Sequence, residues 1–149
     1  MLKKISVVAL LLASAGAWAQ GDMMTVSGLA NGANSKAAFA KMTEGHKLPE
    51  WVVKGGTGSP AKSVKLGSDT WQVLTSCKPH DCGAERVAIL WSPQKKEMSG
   101  VYSTVKEDSA QEKLVWMNVS DDLSIDGKTV LYAALSGSLE NHPDAFNYK

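Results

Sequence analysis

Between Ala61 and Asn118 the chain breaks into short runs of β-type residues, and this succession constrains the fold more than any other feature. The runs are Ser63 to Leu66, Thr70 to Ser76, Arg86 to Trp91, Met98 to Val105 and Lys113 to Asn118, each bounded by Gly, Pro, Asp or Ser-rich turn residues. Trp71-Gln72-Val73-Leu74 and Val101-Tyr102-Ser103-Thr104-Val105 are rich in aromatic and β-branched side chains, which pack well on a pleated surface. Connections this short join antiparallel neighbours, because a parallel pair needs a crossover of about a dozen residues or more. An antiparallel sheet is therefore the expected centre of the fold.

Helical signals flank this region. Asn34 or Ser35 can cap a short helix over Ser35 to Glu44, with Ala37, Ala38, Phe39 and Met42 as its apolar stripe and Gly45 as its stop. Glu50-Trp51-Val52-Val53-Lys54, closed by Gly55-Gly56, reads equally as a strand or a helical turn, and Gly58-Ser59-Pro60 separates it from the sheet. Asp126-Gly127 is a turn signal, and Thr129 to Leu135 is too short for periodicity to decide, although helix is favoured. The tail from Asn141 to Ala145 reads as extended or turn structure, with the aromatic residues after it packing down.

The first residues have the form of a secretory signal peptide: Lys3 and Lys4, an apolar run from Ile5 through Ala13, and the small-residue triplet Ala17-Trp18-Ala19. The apolar run is well short of the roughly 20 residues of a spanning helix. Cleavage after Ala19 assigns residues 1–19 to the signal and leaves 20–149, the size of one domain with a continuous core. With Lys3 and Lys4 removed, 14 of the 16 basic residues remain against 15 acidic ones. Such a balance gives no support for nucleic-acid binding, which usually shows a basic patch. Export also places the only two cysteines, Cys77 and Cys82, where disulfides form and persist, so they are expected to be bonded.

A bond between them closes the ring Cys77-Lys78-Pro79-His80-Asp81-Cys82 between two expected strands. Closing so small a ring is worth roughly 2 kcal/mol in the chain-entropy model. Pro79 removes a further soft dihedral beside His80. A loop ordered beforehand does not lose affinity to ordering on association. Lys78, His80 and Asp81 are expected to point outward from the tip. An imidazole donates from one ring nitrogen when neutral and from both when charged, so His80 can bridge two acidic side chains in a cleft. Glycoside hydrolases generally carry such a pair of carboxyl groups.

Three blocks together give the chain its resemblance to a known family. They are the ring itself, Gly45-His46-Lys47-Leu48-Pro49-Glu50-Trp51-Val52, and Leu123-Ser124-Ile125-Asp126-Gly127-Lys128-Thr129-Val130-Leu131. From about Thr25 to Lys149 the sequence resembles the inhibitor of vertebrate lysozyme family. The resemblance implies an α+β single domain, with a central antiparallel β-sheet flanked by short helices. It further implies a periplasmic homodimer, no enzymatic activity or cofactor, and C-type lysozyme as partner. The ring Cys77 to Cys82 would enter the active-site cleft, with His80 as the key inhibitory residue between the catalytic glutamate and aspartate. Six residues cannot supply the roughly 800 Å² per partner of a stable interface, so surrounding surface must contribute.

Other readings compete with this one. Taken alone, the cysteine pair reads first as a stabilising staple without a binding role. Its Cys-x-x-x-x-Cys spacing differs from the Cys-x-x-Cys of thioredoxin-like redox sites. If the thiols stayed reduced, Cys77, His80 and Cys82 could ligate zinc or copper in a periplasmic metal-binding protein, although no fourth ligand lies near. His46 and His142, Asp121-Asp122 and Asp126 read as surface, packing or capping residues. No nucleophile elbow, phosphate loop or His-Glu metal motif is present. The tryptophans could stack on carbohydrate, but Trp71 and Trp91 fall in expected strands, where core packing is the simpler role. A glycan-binding module, or a modulator of the cell's own peptidoglycan lytic enzymes, is a third class of function.

Overall fold

The computed structural model describes residues 24–149. The expected signal peptide and its cleavage point lie outside the described residues. In chain order the elements are helices α1 (Val26–Asn31), α2 (Lys36–Thr43) and α3 (Glu50–Lys54), strands β1 (Thr57–Gly58), β2 (Lys62–Leu66), β3 (Asp69–Cys77), β4 (Glu85–Ser92), β5 (Glu97–Val105) and β6 (Glu112–Met117), and helices α4 (Asp126–Ser136) and α5 (Ser138–Asn141). Short 3-10 turns cover Asp121–Leu123 and Pro143–Phe146. No helix among the described residues is long and apolar enough to cross a membrane.

The expected antiparallel sheet is present, and each of the five runs read from the sequence forms a strand with ends shifted by at most one residue. All strand pairs are antiparallel. The order is β1-β3-β4-β5-β6, and β2 also pairs with β3. β1 and β2 share the outer edge of β3: Thr57 and Gly58 pair with Cys77 and Ser76, and Lys62 to Leu66 pair with Val73 to Asp69. Pro60, which has no N–H for a ladder, lies in the gap between them.

Strand β4 explains why helices must cover both faces. Val87 to Ser92 are all buried, without the alternation of a half-exposed strand. Successive side chains point to opposite faces, so Val87, Ile89 and Trp91 join one core and Ala88 and Leu90 another. The first core packs against Val26 and Leu29 of α1, Phe39 and Met42 of α2 and Val52 of α3. The second packs against Val130, Leu131, Ala133 and Leu135 of α4 and Leu139 of α5. The result is a single α+β domain of three layers.

The helices refine several sequence expectations. The Ser35 to Glu44 helix is α2; Ser35 stands at its cap, but its hydroxyl donates to the Leu29 carbonyl at 2.7 Å and makes no capping bond. Glu50–Lys54 is helical, and Thr129 to Leu135 lies within α4. Asp126-Gly127, expected to turn, opens α4 instead. Asp126 places its negative charge in the first helical turn, where the backbone dipole favours it. A Cβ on Gly127 would lie 2.8 Å from the Leu123 Cβ, so the glycine serves close packing rather than a turn. Helix α1 was not foreseen; Thr25 caps it by accepting from the Gly28 N–H at 3.0 Å. In the tail, Phe146 and Tyr148 pack against the α4-side core. The Tyr148 N–H donates to the Lys65 carbonyl at 2.8 Å, and Tyr148 returns a carbonyl to the Gly67 N–H.

Leu90→Ala and Ile89→Ala should each cost about 2–5 kcal/mol by opening a cavity in a fully buried site. Because the two side chains face opposite layers, their losses in chemical denaturation should be close to additive. A strongly non-additive double variant would contradict two separately packed cores.

Candidate functional site

The connection between β3 and β4 carries the ring singled out in the sequence. Cys77, the last residue of β3, is disulfide-bonded to Cys82, with their Cα atoms 4.7 Å apart. Two tight turns fold the connection. The Asp81 N–H donates to the Lys78 carbonyl at 3.0 Å, and the Ala84 N–H to the Asp81 carbonyl at 3.1 Å. In the first turn Pro79 occupies the second position and His80 the third, with φ of 64°. Proline followed by a positive φ is the signature of a type II turn, which usually places glycine or asparagine where His80 stands. A non-glycine residue in this conformation costs about 1–2 kcal/mol. The ring and its turns hold His80 there.

Pro79, His80, Asp81 and Cys82 are exposed. Lys78 departs from expectation. Its side chain folds back to Glu85 at the start of β4, Nζ to Oε2 3.0 Å, and its backbone N–H donates to the Glu85 carbonyl at 3.0 Å. The residues presented outward are therefore His80 and Asp81, while Lys78 is half-buried.

Glu85 is the centre of a buttress beneath the loop that sequence reading missed. The Tyr102 hydroxyl of β5 donates a hydrogen bond to it. That bond, with Lys78 and the Trp51 indole of α3, holds the Glu85 carboxyl below its ordinary value against the opposing effect of burial. The Trp51 indole N–H is buried without a partner of good hydrogen-bonding geometry, yet it lies near enough to contribute. Burial, reinforced by Glu85, pushes the Tyr102 hydroxyl well above its ordinary value. The hydrogen bond to Glu85 raises Lys78. Gly56 lets α3 and β1 close on the end of β3, because a Cβ there would lie 2.6 Å from the Cys77 carbonyl and 2.8 Å from the Trp51 ring.

On the opposite face of the sheet a second carboxylate ties the same strand end to α4. Arg86 donates to Glu112 at 3.0 Å and to the Leu135 carbonyl at 2.7 Å. The Ser103 hydroxyl, then Tyr132 and Arg86, hold Glu112 below its ordinary value. Two further features flank the loop. The β5–β6 connection, 106–111, lies beside it, with the Val105 N–H donating to the Ala84 carbonyl at 2.8 Å. A hollow of about 340 Å³ between them is lined by Asp81, Gly83, Ala84, Val105, Lys106, Glu107 and Ser109. On the other side lies β1, paired with Cys77 and Ser76.

Nothing here assembles the competing metal site: the Cys77 and Cys82 sulfurs are bonded to each other, which removes both thiolates from Cys77, His80 and Cys82. Among the described residues no three His, Cys, Asp or Glu side chains converge as a ligand set. His46 and His142 are exposed, just past the C-terminal ends of α2 and α5. Trp71 and Trp91 are buried in the two cores, as their strand positions suggest.

The family model described as inhibitor of vertebrate lysozyme (Ivy) matches residues 34–124. A protein of Escherichia coli (strain K12) bearing that name is 58% identical over 149 residues, covering 100% of this chain and 94% of that protein. The chain belongs to the inhibitor of vertebrate lysozyme family. A Pseudomonas aeruginosa protein of the same name is 31% identical over 78 residues, 51% of each chain. An uncharacterized Yersinia pestis protein is 38% identical over 74 residues, 48% of each chain. The segment matched by the Ivy model contains the ring together with Trp51, Glu85, Tyr102 and Glu112, so both carboxylate buttresses lie inside it.

A glutamate whose folded pKa lies below its unfolded one stabilises the fold above the unfolded value, and that contribution is lost as pH falls through the folded value. Glu85 and Glu112 both have this sign, so the melting temperature should drop as the pH is lowered through and below 4.5, the ordinary glutamate value. In thermal denaturation across this range, Glu85→Gln should flatten the drop. An equally steep decline in the variant would remove Glu85 from the account. Gly56→Ala should destabilise the chain by about 1–3 kcal/mol through overpacking against backbone, whereas Gly83→Ala, where a Cβ meets nothing within 4 Å, should change stability by less than about 0.5 kcal/mol.

Proposed function

We propose that this chain is an exported, non-enzymatic inhibitor of C-type lysozymes, acting in the periplasm by inserting the Cys77–Cys82 loop into the enzyme's active-site cleft. The observation that carries this reading is His80, exposed at the apex of a covalently closed turn and held in a left-handed conformation. The E. coli relative that covers the whole chain is named for the inhibition of vertebrate lysozyme.

In this reading the His80 imidazole enters between the catalytic glutamate and aspartate and hydrogen-bonds to both, which blocks substrate without any bond being made or broken. Backbone order set by the disulfide and by Pro79 limits what the loop loses on docking. The loop alone is too small for a stable interface, so the adjoining 106–111 connection on one side and β1 on the other complete the contact surface. Residues 1–19 direct export and are removed, and residues 20–149 form the inhibitory domain. The mature protein acts as a homodimer.

The test is hydrolysis of a bacterial cell-wall suspension by a C-type lysozyme, with and without the purified mature protein, before and after reduction of the disulfide. Inhibition should be present and should weaken on reduction. His80→Ala should weaken it by more than tenfold with the fold retained, and unchanged potency would sink the role of His80. No inhibition at any ratio would exclude C-type lysozyme as the partner and bring the cell's own lytic enzymes forward.

A further inference from the structure

We infer that Glu85 is the positioning residue of the loop, and that Lys78 is the loop's internal anchor rather than a contact to the enzyme. The inference rests on the inhibitory reading of the loop given above. Lys78 is the first residue of the turn that carries His80, and its carbonyl accepts the Asp81 N–H that closes this turn. Both its remaining polar ends go to one residue: the backbone N–H to the Glu85 carbonyl and the ammonium to the Glu85 carboxylate, each at 3.0 Å. Two attachments to one residue fix the direction in which Lys78 leaves the sheet, and so the direction in which the turn projects.

Glu85 is in turn held from elsewhere in the fold. The Tyr102 hydroxyl of β5 donates to it, and the Trp51 indole of α3 approaches it. Through these contacts α3, β4 and β5 all bear on one carboxylate at the root of the loop. The block around Trp51 and the ring, far apart in the sequence, meet at Glu85. Pairing with the Glu85 carboxylate sets the ammonium at the root of the loop, on the strand side of the turn that carries His80. His80, by contrast, is exposed at the third position of that turn.

The two roles for Lys78 predict different behaviour in the mature full chain carrying Lys78→Met, Glu85→Gln, or both. If Lys78 anchors the loop, each single variant raises the dissociation rate from C-type lysozyme by about three- to tenfold. The double variant is then no worse than either single one, because both remove the same contact. Loss of inhibition by Lys78→Met with full inhibition retained by Glu85→Gln would overturn the inference and make Lys78 a direct contact. Additive losses would overturn it as well. Hydrogen exchange at the Asp81 amide provides a reading that needs no enzyme. Exchange should quicken in all three variants, and equal protection in the wild type and Glu85→Gln would overturn the anchor. If the wild-type chain fails to bind lysozyme, the functional reading falls while the exchange measurement still decides the positioning role. Should Glu85→Gln unfold, Tyr102→Phe removes only the hydroxyl that orients Glu85 and should quicken the same exchange. Unchanged exchange in that folded variant would overturn the inference.

Discussion

Strand β4 lies at the middle of the sheet with both of its faces buried, and that condition sets the plan of the molecule. An antiparallel sheet can leave one face in water, but Val87 to Trp91 offer no polar face to expose. Helices must therefore cover both sides. The chain before the sheet supplies α1, α2 and α3 to one face, and the chain after it supplies α4 and α5 to the other. The loop between β3 and β4 consequently springs from this buried central strand. A projection rooted there inherits a rigid base that a loop on an edge strand would lack.

How far the sequence discloses this plan depends on whether a signal is local. Strand runs were readable because turn residues bracket each one and β-branched or aromatic side chains fill it. Glu50 to Lys54 and Thr129 to Leu135 were ambiguous because five to seven apolar-rich residues fit either period. Helix α1 was legible in principle, since Thr25 precedes Val26 and Leu29 at helical spacing, but Gly28 and the following Asn31-Gly32 masked it. Asp126-Gly127 misled because glycine was read for its backbone freedom when Leu123 required only the absence of a side chain.

The Cys77–Cys82 loop shows the same division. Its ring, its proline and its exposed histidine can be read from six consecutive residues. Its support cannot, because Glu85 reaches Lys78 across a hairpin, Tyr102 across a strand pair, and Trp51 from a helix. Nothing in the spacing of these residues distinguishes Glu85 from any other glutamate at the start of a strand. Only the register, which sets Glu85 opposite Thr104 and Val87 opposite Tyr102, brings the phenol onto the same face as the carboxylate. The second carboxylate follows the same logic on the other face, where Arg86 pairs with Ser103 and reaches Glu112.

His80 holds a left-handed backbone conformation at the turn of the loop. A left-handed histidine is unfavourable by about 1–2 kcal/mol and persists only where its surroundings over-determine it. Here the disulfide closes the ring, Pro79 fixes the preceding dihedral, the Lys78 to Asp81 bond shuts the turn, and Glu85 grips its first residue. A simple staple between two strands requires none of this, since glycine would occupy the third turn position without strain. Glycine, however, carries no imidazole. The unfavourable conformation leaves an exposed imidazole on the turn, and the disulfide, Pro79 and the Glu85 buttress are what hold it there.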